Sequence, residues 1–244
     1  MSNNNSYNLN TNPLIEKGTT GITSQNFLAN VFIWMFVALG ISAVTTYLLG
    51  TNDTMLSYLQ NEDRSLTGLG VAARFAPLAF VLILSFGMNR LSFPIVAFLY
   101  VFFAAVMGVS IFFNISRYSD ASVYGCFISA SLLFAVMAIA GYTTNTDLTN
   151  FGSILMIFLI GIVIASVVNM FIGSSQLDYI ISFVGVAVFV GLTAYDVQRL
   201  KRIGEGIEYG DASANKLVIM GALSLYLDFI NLFLMLLRVF GGRK

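Results

Sequence analysis

Histidine is missing from all 244 residues, and cysteine occurs once. The first absence leaves no candidate for a His-ligated metal site or for Ser-His or Cys-His catalysis. The single cysteine, Cys126, can close no intrachain disulfide and forms no CxxC pair, so in its apolar run it reads as helix packing. Charge is scarce as well: 10% of residues are charged, with 12 basic against 12 acidic, where an ordinary soluble domain carries roughly 25%. A formal net charge of zero supplies no basic field for nucleic acid, and such a partner is not expected.

What fills the chain is apolar. Hydrophobic residues make up 57% and aromatics 14%, and the mean hydropathy is +0.84. A globular core does not need this much apolar surface, so the sequence reads as a membrane protein. Residues 1–26 are polar, with asparagine crowded between Ser2 and Asn12, and are expected to form a flexible tail that lacks the basic n-region of a signal peptide. Residues 27–244 hold seven hydrophobic segments, near 27–49, 71–89, 93–114, 121–142, 150–172, 178–200 and 217–240. Each has about the 20 residues an α-helix needs to cross about 30 Å of hydrocarbon. Lipid cannot satisfy backbone N–H and C=O groups, and no segment alternates as a barrel strand would, so the expected fold is all-α with seven transmembrane helices.

Basic residues set the expected orientation. Arg199, Lys201, Arg202 and Lys216 connect the last two segments, and Arg90 follows the second. Placing these in the cytoplasm gives a cytoplasmic amino terminus and an external carboxyl terminus, although Arg238, Arg243 and Lys244 then fall outside. Small residues such as Gly40, Ala43, Gly108, Ser129, Ala138, Gly161, Ala165, Gly185 and Gly191 read as points of close helix contact. Pro94 opens the third segment, where its missing N–H costs little, and Pro77 sits inside the second, where it can kink the helix.

Two carboxylates stand out, Asp196 and Asp228, one in each of the last two segments. A carboxylate costs several kcal/mol to hold inside a bilayer, so it is seldom there without a use. Asp228 lies about 17 Å deep by helical rise, with Ser224 (i−4) and Asn231 (i+3) on its face as a short polar stripe. A packing network alone could be built from serine or asparagine, which favours a function for Asp228. Asp196 lies about 7 Å inside, with Thr193 and Arg199 on its face, and could simply pair with Arg199. Helical rise leaves the two acids offset by about 10 Å, within the uncertainty of the segment ends, so contact is permitted. If they meet, like charges in low dielectric cannot both ionise easily, and the pair shares a proton near neutral pH. Doubly ionised, it offers hard oxygen ligands suited to Ca²⁺ in passage, with no tightly bound cofactor. Arg90 lies at a depth similar to that of Asp196 and could pair with it, or anchor on lipid phosphates.

The runs AYDVQRLK (194–201) and ALSLYLDFINLFLMLLRVFG (222–241) resemble the signature of the Bax inhibitor-1 family, in its bacterial branch. The resemblance implies a seven-helix bundle of the inner membrane, with the last helix enclosed by the other six, acting as a pH-sensitive Ca²⁺ leak. The family's paired aspartates fall on Asp196 and Asp228. Its gating arginine falls on Asn89 by the direct match, with Arg90 one residue along. Some bacterial relatives are associated with a membrane AAA protease, so a non-conducting scaffold or protease regulator is the alternative. An intramembrane aspartyl protease also has Tyr-Asp on one helix and Asp on the next, as in Tyr195-Asp196. Its Gly-x-Gly before the second acid is replaced here by Leu225, Tyr226 and Leu227, and no Pro-Ala-Leu run follows. No enzymatic activity is expected.

Overall fold

The computed structural model describes the backbone of residues 13–63, 65–87, 91–206 and 212–244, and side chains from 26 onward except at 64, 85–90 and 207–213. Among the described residues the regular elements are eight helices: α1 (Pro13–Thr51), α2 (Asp53–Ser57), α3 (Gly68–Gly87), α4 (Phe93–Ile115), α5 (Asp120–Thr143), α6 (Thr149–Ile172), α7 (Ser175–Glu205) and α8 (Ala212–Phe240). Their ends follow local chemistry. Ser92 precedes α4 in extended conformation with proline in the first turn, Ser119 and Ser174 cap α5 and α7 by accepting from Ser122 N and Leu177 N, and α6 stops at Gly173, whose φ of 70° favours glycine. The short α2 breaks the connection after α1 and was not foreseen.

Among the described residues six helices are long and apolar enough to cross a membrane: α4 to α7, Asn26–Thr51 of α1 and Ala214–Phe240 of α8. The seventh expected span falls on α3, whose described apolar stretch, Gly68–Leu84, is shorter. At 1.5 Å per residue it reaches about 25 Å, against about 30 Å of hydrocarbon.

The core is organised around α8, which packs against α1, α4, α5 and α7, while α3 packs mainly on α4 and α6 mainly on α7. The last helix is therefore enclosed chiefly by four helices rather than six. Buried polar side chains are few, and they include Ser42, Thr193, Asp196, Gln198 and Asp228. The outside is greasy: Ile157 is 70% exposed and Phe171 81%. Such a surface is stable only against lipid or another apolar partner.

Close approach of backbones is bought with glycine at two crossings. A methyl at Gly108 would lie 2.6 Å from the Ser42 carbonyl oxygen, and one at Gly141 would overlap that of Ala194. Gly40 and Gly161, expected at contacts, instead face open space. A hydroxyl knot ties α1, α4 and α8: Ser42 Oγ lies 2.7 Å from both the Ala104 carbonyl oxygen and the Tyr226 hydroxyl. Because serine has one O–H, Tyr226 donates to Ser42, and Ser42 donates to Ala104.

Candidate functional site: a buried carboxylate pair

Small and apolar side chains of α7, among them Gly191, Leu192 and Ala194, bury that helix against its neighbours and carry Asp196 inward with them. Asp228 comes from the enclosed helix α8. The two acids are 7% and 6% exposed, and their carboxyl groups lie near enough to act on one another. Ser224 Oγ, one turn before Asp228, donates to Asp196 Oδ2 across the α7–α8 contact. Asp228 Oδ2 is buried and has no hydrogen-bond partner among the described residues. An orphaned polar atom of this kind costs about 1–3 kcal/mol, so its presence calls for a use.

The other expected neighbours fall elsewhere. Thr193 turns back on its own helix, donating to the Phe189 carbonyl at 2.8 Å. Arg199 is exposed and, among the described residues, forms no ion pair with Asp196. Ser224 and Asn231 belong to a partly open line on α8, Met220, Ser224, Leu227, Asn231, Leu234 and Arg238, spaced alternately four and three residues apart. This seam is the side of α8 that its neighbours cover least, and Asp228 is set just off it. Asn89 and Arg90, the candidate gating positions, lie outside the described residues.

Among the described residues no three acids, cysteines or histidines gather as a metal site. The pair, with the Ser224 hydroxyl, is thus a sparse oxygen cluster, suited to brief contact with a hard cation more than to storage.

Sequence reasoning missed a polar clamp that starts with Gln198, just beyond Asp196 on α7. Gln198 Nε2 donates to the Thr146 carbonyl at 2.8 Å, and its Oε1 accepts from Leu148 N at 2.9 Å. Arg202 pairs with Asp147 at 2.9 Å, and Lys201 Nζ reaches the Tyr142 carbonyl at 3.1 Å. Together they hold the α5–α6 connection on α7. Hydrogen bonds from Thr149, then the Arg202 guanidinium, lower the Asp147 carboxyl to about 2. The glutamine was visible in the run 194–201, but its partners stand some fifty residues away in sequence.

A family model described as "Inhibitor of apoptosis-promoting Bax1" matches residues 24–244. The chain is 41% identical over 221 residues to "Inner membrane protein YbhL" of Escherichia coli, covering 90% of this chain and 93% of that protein. It is 37% identical over 223 residues to an uncharacterized protein of Borreliella burgdorferi, covering 91% and 94%. To an uncharacterized protein of Rickettsia prowazekii it is 36% identical over 223 residues, covering 90% and 91%.

Proposed function

This chain belongs to the Bax inhibitor-1 family, and from that premise we propose that it is a seven-span, pH-sensitive Ca²⁺ leak of the inner membrane, gated by Asp196 and Asp228. The observation that carries this reading is the nearness of two buried carboxyl groups with one oxygen, Asp228 Oδ2, that has no partner among the described residues. With one proton shared, the carboxyls hold α7 and α8 together and the path is shut. Loss of that proton sets two like charges against each other in low dielectric, which drives the helices apart at this level. The separated carboxylates then meet a passing Ca²⁺ with oxygen ligands too few to trap it.

Seven spans are supported by the run of the chain. The end of α1 lies beside the end of α4, where Gly50 meets Phe112, whereas Leu91, just before α4, lies beside Lys216 near the start of α8. The chain must return between those two points, and α3 is the helix available to do so. The basic residues between α7 and α8 support a cytoplasmic amino terminus and an external carboxyl terminus.

Liposomes containing only this protein, loaded with a Ca²⁺ indicator and stepped between pH 6 and 8, test the reading. The parent should leak more at pH 8, and Asp196→Asn and Asp228→Asn should flatten that dependence while remaining folded. A parent that passes no Ca²⁺ at either pH would return the acids to packing and favour a scaffold or a regulator of a membrane protease. Cleavage of an added helical substrate would instead reveal an aspartyl protease.

A further inference from the structure

The seam on α8 ends in a polar cavity of about 450 Å³ at the end of the bundle away from the Gln198 clamp, where α3, α4, α6, α7 and α8 converge. Four arginines line it, Arg74, Arg117, Arg238 and Arg243, against one carboxylate, Asp178, which leaves three positive charges in excess. Asp178 pairs with Arg238 alone among the described residues, loosely, at 3.7 Å. Among the described residues no acid lies within ion-pair reach of Arg74, Arg117 or Arg243. Arg74, Arg117 and Arg238 are near enough for their like charges to act on one another.

Such a cluster is unfavourable unless something offsets it. Arginine has donors and no acceptor. The nearby amide adds to this bias, because Asn169 Oδ1 is occupied by Ser174 N at 3.0 Å and so presents its NH₂. A wall with three positive charges in excess fits an anionic ligand rich in acceptors, and guanidinium forks match the oxygens of phosphate.

We propose that this arginine cavity binds a phosphate group, either free inorganic phosphate or the headgroup of an anionic phospholipid. Occupied, it offsets charge that otherwise repels Ca²⁺ from this mouth of the bundle. Binding itself does not depend on the leak, so failure of either reading leaves the other standing.

Thermal unfolding of the purified protein in uncharged detergent tests the site, first with inorganic phosphate titrated against chloride at matched ionic strength. In a second arm, phosphatidylglycerol or phosphatidylcholine is added to the micelles. Arg117→Gln with Arg243→Gln is the informative variant, because both side chains are exposed and lie outside the helices. The expected result is a saturating rise in Tm, with half-saturation weakened about tenfold or more in the double variant, the loss of at least one charge-assisted bond. Arg117→Lys with Arg243→Lys, which keeps both charges and loses both forks, should bind more weakly than the parent and more tightly than the glutamine variant. A rise with inorganic phosphate identifies a free anion, and a rise with phosphatidylglycerol alone identifies a lipid. No rise in either arm, or a rise unchanged in the double variant, overturns the proposal.

Discussion

Ser224 is the residue that makes the two acids unequal. It gives Asp196 a donor, while Asp228 keeps a bare oxygen in a site that is 6% exposed. A donor favours the ionised form of the carboxylate that it touches. In Ser224→Ala that support is gone, so the ionised, leaking state forms less readily, and the half-point of Ca²⁺ flux against pH should move to higher pH. The same change removes a bond to a charged group, a loss of about 1–3 kcal/mol at high pH that shrinks once the pair is protonated. Flux–pH curves and Tm at pH 6 and 8 would check both. An unmoved half-point with a lowered Tm would make Ser224 a packing residue. The two acids were legible in the sequence because apolar surroundings make a carboxylate conspicuous. The Ser42–Tyr226 knot was not, since a hydroxyl in a membrane helix commonly bonds its own backbone, as Thr193 does.

Helices were legible wherever hydropathy alone decides them, and they became harder to read where polar contacts finish the job. α3 is the weak case: Pro77 lies within it, Arg74 begins its polar cavity edge, and its far end runs into residues 88–90, outside the described ones. The α5–α6 connection is held by side chains of α7, a pairing no local pattern announces. Gln198→Ala should free that connection by removing bonds to Thr146 and Leu148, leaving Leu148 N without its acceptor and lowering Tm by a few degrees, about what 1–2 kcal/mol produces in a chain of this size. The clamp should not respond to pH in the working range. Asp147, lowered to about 2 from the ordinary 3.8, contributes stability that is complete above about pH 4 and is lost as pH falls toward 2. A leak that changes between pH 6 and 8 in Gln198→Ala as it does in the parent would therefore assign the pH response to the acid pair. The cation after α3 has its own test. If Asp196 exchanges its partner for Arg90 when the pair loses its proton, Arg90→Gln should lower the leak at pH 7–8 and change it little at pH 6. Equal leaks at both pH values, with normal expression, would make Arg90 an interfacial anchor.

For the whole molecule, the question is whether α3 crosses. The six longer helices leave α1 and α4 pointing the same way, as the meeting of Gly50 with Phe112 and of Leu91 with Lys216 requires. A crossing by α3 resolves this, and seven crossings put the termini on opposite faces. Six would put them on the same one. The basic residues disagree in part: Arg199, Lys201 and Arg202 draw the α7–α8 end toward the cytoplasm, whereas Arg238, Arg243 and Lys244 sit at the opposite end. Two of that second group have acidic neighbours, Arg238 with Asp178 at 3.7 Å and Lys244 with Asp120 at 2.9 Å, whereas Arg243 keeps its pull on orientation. With the amino terminus in the cytoplasm, alkaline phosphatase fused after Lys244 should be active and a fluorescent reporter there should stay dark. The same pair fused in the 143–149 connection should give the reverse. With the amino terminus in the cytoplasm, a fluorescent carboxyl-terminal fusion together with an active phosphatase in the 143–149 connection would mean that α3 does not cross and that six spans remain. Activity of phosphatase at both positions would require an even number of crossings after the 143–149 connection, so that one of α6, α7 and α8 would not cross and the acid pair would not lie between two spanning helices.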